Sequence, residues 1–312
     1  MSALTKDKLL TLTESDFLEP WMQSFILDRR ASNKSKKTIS WYEWHLNQIH
    51  SYLSEIQSVS RVSQITPDII RRYLLYLEAK GHSAGGIHGH YRAIRAFLNW
   101  YELEANPPNW VNPIKRVKAP RQPKEPIQGI EIDSMRALLR ASKGKEFTDI
   151  RDSALFLFLL DSGVRAMELL NINLADMDLI TGSVLIRKGK GSKPRMVFLS
   201  ESTRKALRAY IRIQDSDDPA LWVTQAGKRL TYNGLNEVLR RRASQAGIPK
   251  PGLHDFRRSF ALNFLRNGGD IFSLQKILGH SSLDILKSYL AQTDKDLSIA
   301  HRKNSPVQGW DL

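Results

Sequence analysis

Five places in the 312-residue chain carry residue types able to handle an anion such as a phosphate. In Asp161-Ser162-Gly163-Val164-Arg165-Ala166-Met167-Glu168-Leu169, Gly163 can end one helix and Arg165 then stands at the start of another. A helix start bearing a guanidinium suits an anion, and Glu168 (or Asp161) can orient that arginine. In Gly189-Lys190-Gly191-Ser192-Lys193-Pro194-Arg195 the glycines let backbone approach a phosphate, and Lys190, Lys193 and Arg195 crowd one turn. The spacing is not that of a P-loop. In His254-Asp255-Phe256-Arg257-Arg258, His254 and Arg257 are three apart, so both face one side of a helix. In Leu278-Gly279-His280-Ser281-Ser282, Gly279 ends a helix and exposes His280. Tyr289, nine residues on, supplies a phenol. Taken singly, each has an ordinary explanation: a surface ion pair, a solvated basic turn, a structural histidine, a core tyrosine.

The charge balance favours the anion reading. Lys and Arg number 47 against 32 Asp and Glu, a formal charge of +15. Such a field attracts polyanions, nucleic acid first and an anionic membrane second. The longest apolar run, Ala154–Leu160, is far short of the roughly 20 residues of a membrane span. Met1–Leu12 is broken by Lys6, Asp7 and Lys8, so no signal-peptide core and no membrane partner are expected. With no cysteine there is no disulfide, thiol nucleophile, thiolate metal site or iron–sulfur cluster. A reducing cytoplasm is compatible with that. His-Glu-x-x-His is absent, and His88 and His90 lie on a predicted surface helix where they are not read as ligands, so no metal and no cofactor are expected.

The elements that must position these groups fall into two domains. Residues 1–112 read as an all-α domain. A helix surrounds Phe17–Arg29, and Ile39, Tyr42, Leu46, Ile49, Leu53 and Ile56 form one helical face. Thr66-Pro67 and Gly81 bracket a helix over 67–80, and a longer one runs over 83–104. Residues 113–127 carry net +4 with Pro113, Pro120, Pro123 and Pro126, a basic linker able to lie along phosphates. Residues 128–312 read as mixed α+β, mainly α. Helices are predicted at 131–142, 149–161, 201–213, 231–246, 254–267, 270–278 and 283–290. A hairpin joins Ser183–Ile186 to Pro194–Leu199. A tail follows from about 291.

In order, these boxes resemble the tyrosine recombinase (phage integrase) family, particularly its short Xer-type and transposon-borne members. DSGVRAMELL is similar to that family's first arginine box, GKGSKPR to its lysine hairpin, HDFRRSFA to its His-x-x-Arg box and LGHSSLDILKSYL to its His-to-Tyr box. The resemblance covers about residues 15–300. The chain departs from the family at Asp161-Ser162, where a Thr usually precedes the Gly, and at Ile285-Leu286, where threonines are common.

The resemblance implies a two-domain fold, a helical core-type DNA-binding domain and a catalytic domain, and a site-specific recombinase that cuts and rejoins DNA without a cofactor. It implies six catalytic residues. Tyr289 attacks phosphorus to give a 3′-phosphotyrosyl bond, Arg165 and Arg257 clamp the phosphate, and Lys190 protonates the leaving 5′-oxygen. His254 relays the tyrosine proton and His280 bonds a phosphate oxygen. Type IB topoisomerase-like relaxation and a catalytically silent DNA-binding protein are the alternatives. The implied partners are double-stranded recombination sites and further copies of the chain, as a homodimer or homotetramer on DNA. An accessory protein is left open. Arg92 and Arg95 in the first domain and Arg240, Arg241 and Arg242 in the second are candidate DNA contacts. The tail, with Trp310 near its end, is expected to dock on a neighbouring subunit.

Overall fold

The computed structural model describes residues 16–122, 129–187 and 194–279, with 298, 301, 302, 305 and 307. The chain divides into two compact units, Met1–Lys124 and Glu125–Leu312. The first is all-α among the described residues, and the second is mainly α with a small sheet, as the sequence predicts.

In the first unit, α1 spans Leu18–Ala31, α2 Lys36–Ser51, α3 Pro67–Ala79 and α4 Ala84–Ala105. Hydroxyl caps start three of them: Ser35 Oγ accepts from Thr38 N, Thr66 Oγ1 from Ile69 N and Ser83 Oγ from Gly86 N. Each satisfies an amide that the first helical turn leaves without a partner. Leu18, Trp21, Phe25, Leu46, Leu53, Tyr73, Phe97 and Leu98 meet in the core. The apolar face of α2 does not run straight through. The turn that follows it, Tyr52–Ile56, widens to a π-helix. Leu53 stays buried but Ile56 is turned out to solvent, because the extra residue per turn rotates the end of the helix away from the core.

Two further expectations change here. His90 is 1% exposed, so α4 is not a surface helix at that position. Its Nδ1 lies 2.9 Å from the Tyr73 hydroxyl. In the basic, proline-studded strip, Pro113–Arg116 form a 3-10 turn, and Ile114 and Val117 join this unit's core. Arg92 and Arg95 are exposed on α4, and the Arg92 guanidinium lies over the Trp41 ring.

The second unit contains α5 (Ile132–Ala141), α6 (Phe147–Ser162), α7 (Ala166–Leu170), α8 (Glu201–Ile213), α9 (Tyr232–Gln245), α10 (Leu253–Arg266) and α11 (Ile271–Leu278). Strands β1 (Met177–Asp178), β2 (Ser183–Ile186) and β3 (Arg195–Phe198) pair antiparallel in that order, with Ser183 opposite Phe198 and Ile186 opposite Arg195. β1 has two residues, too few to leave an alternating pattern in the sequence. The helix predicted over 283–290 and Trp310 lie outside the described residues.

α6 is the central helix. Ala154, Leu155, Phe156, Phe158 and Leu159 are all buried, so its apolar run is a core helix packed on several sides. Asp152, fully buried, accepts from Arg151 Nε, Arg241 Nη2 and Arg242 Nε at 2.8–3.0 Å. Arg242 also donates to Asp149 and to the Ala141 carbonyl and is 4% exposed. It is therefore a structural residue and not a DNA contact. Its guanidinium donors are spent on buried partners, so none is presented to a phosphate. Arg240 pairs with Glu237 at the surface. Among the described residues, no helix is long and apolar enough to cross a membrane, and no cluster of three His, Asp or Glu could hold a metal.

Candidate active site

The candidate site is built where α6 ends. Gly163 terminates that helix at φ +61, a conformation that side chains with a Cβ rarely adopt. A Cβ at this position would also lie 2.4 Å from the Phe260 ring. The glycine is required on both counts. It turns the chain so that Arg165 becomes the N-cap of α7. That helix is only five residues long, so the guanidinium, and not a helix dipole, carries the positive potential.

Glu168 holds this turn together. Its carboxylate is 8% exposed and accepts four hydrogen bonds. Oε1 accepts from Arg165 Nη1 at 2.8 Å and Arg195 Nη1 at 3.0 Å. Oε2 accepts from the Arg165 backbone N–H at 2.9 Å and Arg195 Nη2 at 2.7 Å. Burial pushes the Glu168 carboxyl up, but the forked bonds of Arg195 and the bonds from Arg165 outweigh it and bring it down to about 2. Glu168 is thus the carboxylate that orients Arg165. Asp161 instead accepts from the Ser200 amide at 2.6 Å. The Arg165 side chain remains 44% exposed, and that of Arg195 is 8% exposed.

Arg257 enters from α10 and is 1% exposed. Nη1 donates to the Gly163 carbonyl at 2.9 Å and Nη2 to the Leu278 carbonyl at 2.8 Å. It ties the turn before Arg165 to the end of α11. His254, one turn earlier on α10, is exposed. Partial burial, then the charges of Arg258 and Arg257, outweigh Asp255 and hold its imidazole below the usual value; Arg165 adds to the same effect. His254 is therefore biased towards the neutral form, able to accept a proton.

Arg165, His254 and Arg257 are thus brought together, the first as the family resemblance implies and the other two from one helix, although His254 and Arg257 differ sharply in exposure. Lys190, His280 and Tyr289 lie outside the described residues. Arg195, expected among the cations of the lysine turn, is instead turned inward onto Glu168, with Nε donating to the Ile277 carbonyl at 2.6 Å. One signal could have found this: Arg195 and Val197 are two apart on β3, and Val197 is buried.

The sequence profile of the phage integrase family matches residues 129–296, and that of the phage integrase N-terminal SAM-like domain matches residues 21–105. The chain is 30% identical over 283 residues to the tyrosine recombinase XerC of Leptospira interrogans, covering 88% of this chain and 89% of that one. It is 29% identical over 280 residues to the tyrosine recombinase XerD of Oceanobacillus iheyensis, covering 87% and 93%. Among solved structures, the XerH site-specific recombinase bound to its palindromic difH substrate, in a post-cleavage complex, is similar in fold. Its TM-score is 0.73 at 20% identity, covering 96% of this chain and 89% of that one.

Proposed function

The chain belongs to the phage integrase family of tyrosine recombinases, and from that membership we propose which residues perform its reaction and on what. It is a site-specific DNA recombinase, a strand transferase that works through a covalent protein–DNA intermediate. In the proposed reaction the Tyr289 oxygen attacks the scissile phosphorus and the bond to the 5′-oxygen breaks. A 3′-phosphotyrosyl ester and a free 5′-hydroxyl result. Attack by a second 5′-hydroxyl reverses the step on a new partner strand. The bond energy stays in the ester, so rejoining needs no external energy source.

A tyrosine hydroxyl has an ordinary pKa near 10, so it needs a proton acceptor and cations that stabilise the charged transition state. His254, biased to its neutral form, is the proposed acceptor. Arg165 and Arg257 are the proposed phosphate cations, Lys190 the acid for the 5′-oxygen and His280 a donor to a non-bridging oxygen. The observation that carries this reading is an exposed Arg165 held from behind by a buried, fully ionised Glu168, with Arg257 and His254 beside it. The proposed partner is a duplex recombination site bound by two or four copies of the chain in the cytoplasm. Relatives seen on such DNA, including XerH on difH and a lambda integrase dimer on a core site, support that partner.

The test starts by trapping the DNA that becomes covalently attached to the chain in cells and sequencing it. A duplex of that sequence, nicked beside the cut so that the 5′-end is lost, should accumulate adduct. Tyr289→Phe should abolish adduct and leave DNA affinity within about twofold. Adduct persisting in that variant would reject the assignment of the nucleophile. Exchange between two sites, as opposed to relaxation of one supercoiled circle, is the expected overall reaction.

A further inference from the structure

We propose that Arg195 is a positioning residue for strand cleavage, acting on Arg165 through Glu168; the inference rests on the reading of the site given above. Arg165 and Glu168 by themselves form a neutral pair. A phosphate approaching such a pair meets little net attraction, and the carboxylate competes with it for the same guanidinium. Arg195 changes that balance. It forks onto both oxygens of Glu168, at 3.0 and 2.7 Å, from a side chain only 8% exposed. The three groups then sum to one positive charge, and the exposed member is Arg165.

Arg195 is itself held in place. It opens β3, which fixes its backbone. Its Nε donates to the Ile277 carbonyl in the last turn of α11. A Cβ on Gly279 would lie 3.0 Å from Arg195 Cδ and 3.2 Å from Nε, so the glycine leaves room for the side chain to pass. β3, the end of α11 and the first arginine turn meet at this one guanidinium. Lysine cannot replace it, because an ammonium cannot satisfy both carboxylate oxygens and the carbonyl from one planar fork.

The experiment uses the full chain and the nicked duplex identified above, at saturating DNA, with single-turnover adduct formation as the readout. A second duplex carries a methylphosphonate at the cut, which removes one non-bridging oxygen and its charge. Arg195→Met should slow adduct formation about 10²-fold on the natural phosphate, the scale for loss of one transition-state cation. DNA affinity should change by less than about threefold. On the methylphosphonate the same variant should lose less than about threefold, because the charge contact is no longer demanded there. Arg195→Met with Glu168→Gln should recover at least about tenfold on the phosphate, because the competing carboxylate is gone. Equal losses on both duplexes with no recovery in the double variant would mean a purely structural role and would overturn the proposal, as would an Arg195→Met rate within about threefold of wild type. If Arg195→Met does not fold, Arg195→Gln, equally neutral but still able to donate to Glu168, carries the same comparison, and equal losses on both duplexes overturn the proposal there too. Tyr289→Phe separates the two levels: adduct in that variant condemns the active-site reading, whereas its absence alongside a normal Arg195→Met condemns only this inference.

Discussion

Replacing His90 by glutamine should flatten the acid dependence of stability in the first unit. Burial, and then the neighbouring His45 and His82, hold the His90 imidazole down at about 4, against 6.5 for an ordinary histidine. Protonation is thus penalised in the fold and free in the unfolded chain. As pH falls below 6.5 the unfolded chain takes up the proton first. Stability is complete above that value, declines through the window from 6.5 to about 4, and then levels off. A gap of about two and a half units, at 1.36 kcal/mol each, amounts to about 3 kcal/mol. The residue is 1% exposed, so solvent screens little of this. Glutamine can still accept the Tyr73 hydroxyl bond through its amide oxygen, so its own cost near pH 7 should be about 1 kcal/mol. The assay is urea unfolding of the whole chain between pH 7.5 and 4, followed by tryptophan fluorescence. Trp21, Trp41, Trp44, Trp100 and Trp110 lie in the first unit, against Trp222 and Trp310 in the second, so the signal reports mainly the first. His45 is also shifted down and faces His90, so the difference between the two proteins reports the His90 titration together with its coupling to His45. Parallel pH dependences for the two proteins would refute the argument, because they would mean that His90 takes its proton as readily folded as unfolded.

Arg258→Gln should raise the His254 pKa towards the ordinary value, since Arg258 is the largest charge holding it down after burial itself. In the proposed reaction adduct formation needs the neutral imidazole, so its acid limb should move to higher pH, and an NMR titration of the imidazole should move with it. Gly163→Ala should lower the melting temperature by an amount corresponding to at least about 1–3 kcal/mol, the usual cost of a left-handed conformation for a residue with a Cβ, with the Phe260 clash added. A melting curve like that of wild type would show that the turn can relax.

How much of this site is legible in the sequence depends on how local each constraint is. Gly163 and Gly279 are legible as helix stops because few other residues tolerate their positive φ, and both lie at the ends of apolar-periodic segments. Thr66 is legible as a cap for the same local reason. Arg165 with Glu168 is legible as one turn of contact. Arg195 on Glu168 is not, because the pair is separated by 27 residues and depends on how β3 lands beside α7. The same holds for Arg242, whose partners Asp152 and Asp149 lie about 90 residues earlier. His90 misled because its burial is made possible by a hydroxyl on a different helix. The turn of π-helix after α2 left no mark in the apolar stepping that predicts a straight helix there.

The arginines of the site also solve a backbone problem, and this explains why they are so rigidly placed. The last carbonyls of a helix have no amide partner and carry the negative end of its dipole. At the ends of α6 and α11, three of them meet guanidinium groups: Gly163 and Leu278 accept from Arg257, and Ile277 accepts from Arg195. Two positively charged side chains thus cap two helix ends that would otherwise need water or further turns. In exchange, the helix ends and Glu168 fix the guanidinium planes before any DNA arrives. A long side chain immobilised only on binding loses up to about 2 kcal/mol of rotamer freedom, and Arg165, already held at Glu168 while still 44% exposed, has lost much of that during folding. The charge that the proposed reaction needs at phosphorus is in this way oriented by the same contacts that terminate the helices.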